Sequence, residues 1–146
     1  EISTSVTSLM NMAQSLQEVC RQFRLHDEDR TELLVELNTF KQAHLNWVKK
    51  ADDMQKGGSL IHVNDIPIHT DCSLGRWYYG IGMGIFGQKE EFKTVEAPHK
   101  KFHELLKEYV ETFTRHGPGK AQAVLNQLKS VSSNIVTSFD QLNKII

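Results

Sequence analysis

His44, Cys72, His99 and His103 are the residues of this chain whose types and spacing suit metal chemistry. Three imidazole nitrogens and one thiolate complete a tetrahedral set of donors. His99 and His103 are four apart, so on a helix they stand on one face. A single histidine on an apolar stripe is ordinarily a core residue satisfied by its neighbours. Here His44 and His99 both fall on such stripes, His103 lies one turn from His99, and Cys72 lies between them in sequence. Burying three imidazoles together is costly unless they share a partner, and a cation is that partner. Mixed sulfur and nitrogen donors in a tetrahedral set point to Zn2+, with bonds of about 2.3 Å to sulfur and about 2.0–2.1 Å to nitrogen. A di-iron centre in a helical bundle needs several inward carboxylates. None lies on the stripes beside His44 or His99, and Glu96 and Glu104 are near only in sequence.

These side chains need helices to aim them, and the apolar pattern supplies helices. Ile2, Val6, Leu9, Ala13, Leu16, Cys20 and Phe23 step alternately four and three, the seam of a coiled coil. A charged break at residues 26–30 follows, then a second stripe of Leu33, Leu37, Phe40, His44, Trp47, Ala51 and Met54 that ends at Gly57-Gly58. Residues 59–70 read as a loop, with Asn64-Asp65 and Pro67 as turn signals. Thr70 or Asp71 then serves as N-cap of a short helix that carries Cys72, and Gly80 to Gly87 breaks up what comes next. A longer helix is expected from about 90 to 116 on Phe92, Val95, His99, Phe102, Leu106, Tyr109 and Phe113, with Pro98 either starting it or kinking it. Arg115-His116-Gly117-Pro118 is its stop. Ala121, Val124, Leu128, Val131, Ile135, Ser138, Leu142 and Ile145 make a last stripe. The expected fold is all-α: a four-helix bundle with an extra short Cys-bearing helix and an N-terminal coiled-coil-like helix.

The remaining candidates have plainer readings. Trp47 and Trp77 are expected to pack near the ion, Gly75 to permit close helix approach, and Asp71 or Ser73 to hydrogen-bond near the sulfur. His62 and His69 fall in the loop; a His69-x-x-Cys72 pair stays open on spacing alone. His26 and His116 suit exposed helix ends, and Cys20 suits a small apolar role on its seam. Gly82-Met-Gly84-Ile-Phe-Gly87 matches a dinucleotide fingerprint in letters, but the βαβ unit that gives the fingerprint meaning is missing from the pattern.

Composition sets the outer bounds. With 146 residues the chain builds one core, and a net charge of −1 argues against electrostatic binding of nucleic acid or anionic membrane. No apolar run reaches the length of a membrane span, and no secretory signal is present. Two cysteines are too few for a disulfide framework and fit a reducing compartment. Opening on Glu1 within a helical pattern, the chain reads as a segment of a longer protein.

His44-x-x-Trp47, Cys72-x-x-Gly75-x-Trp77 and His99-x-x-x-His103, in that order, resemble the motifs of the chemoreceptor zinc-binding (CZB) domain, over roughly residues 30–140. The run at residues 15–25 is similar to the end of a chemoreceptor signalling helix. The resemblance implies two parts: residues 1–26 as the end of that helix, and residues 27–146 as the zinc-binding bundle. It implies a non-enzymatic, cytoplasmic sensory domain of a bacterial chemotaxis receptor, with zinc held by His44, Cys72, His99 and His103. Cys72 is then the redox-reactive residue, sensing hypochlorous acid. The implied partners are a second copy in a homodimer, the receptor's signalling domain in cis and, through it, the chemotaxis histidine kinase and coupling protein. A sensor of free zinc, or a zinc-stapled structural domain regulating a diguanylate cyclase, are the alternatives. A hydrolytic zinc enzyme is the contrasting class, and no general base or substrate motif supports it.

Overall fold

The computed structural model describes residues 27–146. Among the described residues three long helices dominate: α1 (Asp27–Gln55), α5 (Glu96–His116) and α6 (Pro118–Ile145). Between α1 and α5 come a 3-10 turn (Val63–Asp65), α2 (Ser73–Trp77), a kinked segment (Tyr78–Gly82), α3 (Met83–Phe86) and α4 (Glu90–Lys93). The described residues form an all-α bundle and contain no strand. None of their helices is long and apolar enough to cross a membrane. The apolar seam from Ile2 to Phe23, with Cys20, His26 and the proposed end of a signalling helix, lies outside the described residues.

The apolar stripes become the core. Leu37, Phe40, Ala51 and Met54 of α1 are buried, as are Phe102, Leu106 and Tyr109 of α5 and Leu125, Leu128 and Leu142 of α6. Each large apolar side chain so buried contributes about 1.5–3 kcal/mol. Helices α5 and α6 pack along each other, and α1 lies against both. At one end Tyr109 Oη donates to the Ala51 carbonyl at 3.1 Å and to Gln55 Oε1 at 2.9 Å, tying α1 to α5. Gln55 Nε2 donates in turn to the Pro118 carbonyl at 2.8 Å, tying α1 to the start of α6.

Two stops behave as their sequence implies. At the end of α1, Gly57 takes φ +93°, its N–H donates to Met54 and that of Gly58 donates to Asp53, the paired bonds of a Schellman motif. Gly117, at φ +83°, ends α5 and Pro118 starts α6. Pro98 falls in the first turn of α5, where its missing N–H breaks no helical bond.

Three local expectations are corrected. The charged run at 27–30 is helical, part of α1, because exposed charged side chains such as Asp29 and Arg30 do not interrupt a helix. The long helix expected from residue 90 is divided into α4 and α5 by a turn at Thr94-Val95. The stretch from Gly80 to Gly87 stays largely helical: it kinks at Gly80 (φ −107°, ψ −109°) and resumes as α3. Gly82 earns its place by packing, since a Cβ there would meet the Trp77 ring at 3.0 Å.

Candidate metal centre

Three local devices deliver the four donors. His44 comes from the buried face of α1, and His99 and His103 come from successive turns of α5. All three are buried, at 4 %, 1 % and 5 % exposure. Cys72 is half-buried and stands just before α2. It is itself the N-cap of that helix, in place of Thr70 or Asp71: its backbone is extended (φ −70°, ψ 164°) and its Sγ accepts from the Gly75 N–H at 3.3 Å. Sulfur thus does the work usually done by a capping oxygen.

The four donor atoms lie within 4.8 Å of one another. His99 Nε2 is 3.2 Å from Cys72 Sγ and 3.1 Å from His103 Nε2. Bonds of about 2.05 Å to nitrogen and about 2.3 Å to sulfur, arranged tetrahedrally, place donors about 3.3–3.6 Å apart, close to both contacts. The protonation pattern agrees. His44 Nδ1–H donates to the Phe40 carbonyl at 2.7 Å, and His103 Nδ1–H donates to the Pro67 carbonyl at 2.7 Å. Each bond fixes the tautomer that leaves a lone pair on Nε2, the arrangement by which a carbonyl orients a metal-binding imidazole. His44 Nε2 is then buried with no hydrogen-bond partner. A lone pair without a partner, beside others of its kind, is stabilised by a shared cation.

Electrostatics keep the rings neutral. Burial holds His44 below its ordinary value, His103 down to about 4 and His99 down to about 2, with neighbouring imidazoles adding to the last two. Burial also pushes the Cys72 thiol up, against the pull of the Gly75, Leu74 and Cys72 backbone amides. Position at the start of α2 is therefore not enough to make a thiolate; a bound cation is what favours that form.

The surrounding residues divide clearly. Gly75 is required by the loop, not by a second helix: a Cβ there would lie 1.9 Å from the His69 carbonyl oxygen. Trp77 is buried in an aromatic group with Phe40, Phe86 and Phe92, at centroid distances of 6.0–6.3 Å. Trp47 is half-buried and carries Lys50 Nζ over its ring at 4.7 Å. Asp71 is exposed; besides His99 Nε2, the sulfur's hydrogen-bonding neighbours are backbone groups, the Gly75 amide and, as a thiol, the His69 carbonyl at 3.5 Å. His62 and His116 are exposed and stand apart from the four donors. A cleft of about 250 Å3 is bordered by Cys72, His44 and His103 together with Trp47, Asp71 and Arg76. A larger open groove of about 830 Å3 lies beyond Trp47 and contains none of the four donors.

Sequence reasoning missed the two carbonyls that orient the rings. Phe40 was readable, being four residues before His44 on a helix, where a ring nitrogen reaches back one turn. Pro67 was not, because only the path of the 59–72 loop sets its carbonyl over α5.

Residues 44–110 match the family model of the chemoreceptor zinc-binding domain, a span that opens on His44 and includes Cys72, His99 and His103. Searches of curated proteins and of solved structures return no match. Family and geometry agree on one ion: His44, Cys72, His99 and His103 fit a Zn2+ site.

Proposed function

From a chemoreceptor zinc-binding domain assembled on these four donors, we propose that this protein is a cytoplasmic sensory domain of a bacterial chemoreceptor whose Cys72 reads hypochlorous acid. One observation carries the reading: Cys72 supplies the only sulfur among the four donors and is the least buried of them, while the three imidazoles are buried. When bound, Zn2+ keeps that sulfur as a thiolate at neutral pH. The thiolate is the form oxidants attack. Its sulfur pair displaces chloride from hypochlorous acid, so that RS⁻ + HOCl gives RSOH + Cl⁻. Sulfur loses two electrons, chlorine gains them, and the oxygen ends on sulfur.

The consequence follows from the cap. A sulfenic acid is a poorer donor to a cation than a thiolate, and the cap that Sγ gives to the Gly75 amide weakens with the lost charge. Helix α2 has only five residues and leads into the kink at Gly80, so its start shifts at modest cost. Trp77 packs on Phe40 of α1, so a shift of α2 is felt by that helix. In a homodimeric receptor that route leads to the signalling domain and, through it, to the histidine kinase and coupling protein. Four donors complete a tetrahedral set and leave no position for a substrate, which supports a sensory role over an enzymatic one.

Sensing of free zinc is a second reading, supported by the neutral imidazoles: the nitrogens need not lose protons before an ion binds. The two are separated by measuring receptor-coupled kinase output against hypochlorous acid and against buffered zinc, in wild type and in Cys72→Ala. The proposal expects an oxidant response that Cys72→Ala abolishes. An oxidant response unchanged in Cys72→Ala contradicts it, and a response to zinc alone selects the second reading.

A further inference from the structure

A fifth imidazole stands beside the four donors. His69 lies three residues before Cys72, half-buried, and is not among the converging donors. Its ring centroid is 6.0 Å from that of His99, at 81°. The three donor rings are themselves 4.8, 4.9 and 5.5 Å apart. His69 is therefore only slightly farther from His99 than the most widely spaced donor pair, 6.0 Å against 5.5 Å.

It also stands on the sulfur's side of the site. The His69 carbonyl is 3.5 Å from Cys72 Sγ, and Sγ is 3.2 Å from His99 Nε2. The Tyr79 ring meets His69 edge-on at 6.0 Å, so the imidazole is held between Tyr79 and His99. His69 further contributes to holding down both His99 and His103, which places it within electrostatic reach of the donor set.

We propose that His69 is a reserve ligand, which takes the place of Cys72 at the ion when the sulfur is oxidised or removed. The site then passes from one sulfur and three nitrogens to four nitrogens and keeps its metal. The proposal rests on the reading of the four residues as a zinc site with an oxidisable sulfur. Exchange of an anionic thiolate for a neutral imidazole raises the charge of the site by one unit. It also moves α2, because the His69 carbonyl fills the space over Gly75 and any shift of the His69 backbone toward the ion is felt there. Oxidation thus becomes a change of ligand rather than loss of the ion, and the signal is reversed when two thiols reduce the sulfenic acid, RSOH + 2 R′SH giving RSH + R′SSR′ + H2O.

The test is a double-mutant cycle on zinc affinity by competition with a chromophoric chelator, with Co2+ spectra of each variant as the second readout. His69→Ala alone is expected to change affinity less than about threefold, since the sulfur holds the position. In a Cys72→Ala background the same change is expected to cost about tenfold or more, a coupling typical of groups that share one site. Cys72→Ala loaded with Co2+ should lose the thiolate charge-transfer band and keep d–d bands that do not change with pH, whereas the double variant, in which water must take the fourth position, should show d–d bands that shift as that water ionises. Circular dichroism of each metal-free variant separates ligand loss from misfolding. Equal effects of His69→Ala in both backgrounds, in variants that keep their helical signal, overturn the proposal. A sulfur that resists hypochlorous acid while the cycle still shows coupling would sink the oxidant reading and support the reserve ligand.

Discussion

Gly75→Ala places a methyl group where the backbone leaves no room. The new Cβ would sit 1.9 Å from the His69 carbonyl oxygen and 2.9 Å from the carbonyl carbons of His69 and Thr70, where ordinary contact begins at 3.4 Å. Loop and helix must separate by about 1.5 Å, and neither surface is the flexible end of a side chain. Overpacking of this kind costs about 1–3 kcal/mol, and clash with backbone puts it at the upper end. The better helix propensity of alanine returns at most about 1 kcal/mol. A net loss of about 2 kcal/mol is expected. The same separation pulls Cys72 Sγ from the Gly75 amide and draws the loop off its contacts with the site. Zinc affinity should therefore fall by about tenfold or more, one power of ten for each 1.4 kcal/mol that reaches the bound state. The control is Gly84→Ala, in α3, where a Cβ would meet nothing within 4 Å. That change is expected to be neutral or stabilising by up to about 1 kcal/mol. Urea unfolding, with saturating zinc and with chelator, measures both. A Gly75→Ala protein within about 0.5 kcal/mol of wild type in both conditions would refute the steric argument.

Burial lowers His103 to about 4 and His99 to about 2 in the folded protein, against an ordinary 6.5. The unfolded chain takes up protons on these rings first, so metal-free stability is expected to fall as pH drops from about 6.5 through 4; chemical unfolding across that range checks it, and a flat profile contradicts it. Because the imidazoles are already neutral and burial keeps Cys72 a thiol, zinc binding at pH 7 is expected to release about one proton, from Cys72. Calorimetry in buffers of different ionisation enthalpy counts it, and Cys72→Ala should release none. Tyr109→Phe removes the hydroxyl that serves Ala51 and Gln55, and should cost about 1 kcal/mol with zinc affinity unchanged. A loss of zinc affinity in that variant would show that this end of the bundle is coupled to the metal.

What could be read in advance was whatever repeats along a helix. The stripes through Leu37, Phe40 and His44 and through His99, Phe102 and Leu106 fixed the faces that α1 and α5 bury. The glycine stops at Gly57 and Gly117 were legible because positive φ admits few other residues. The donor types at His44, Cys72, His99 and His103 needed only these faces to converge. The loop between α1 and α2 was beyond such reasoning, because its path depends on contacts distant in sequence. That is why the Pro67 carbonyl on His103, the His69 carbonyl over Gly75 and the nearness of His69 to His99 had to be seen. Cys72 as a cap was hidden for a related reason: serine-like capping by sulfur leaves no mark that distinguishes it from Thr70 or Asp71. Gly80 to Gly87 misled by composition, since packing of Gly82 on Trp77 holds part of that stretch helical.

The most direct measurement is zinc content and Cys72 mass spectrometry on the purified chain, before and after a stoichiometric pulse of hypochlorous acid. One zinc per chain at the start, followed by oxidation at Cys72 ahead of every other residue and a change in the helical signal, is the result predicted. A chain that purifies and reconstitutes without zinc, or one whose Cys72 is untouched by the pulse, would contradict the account.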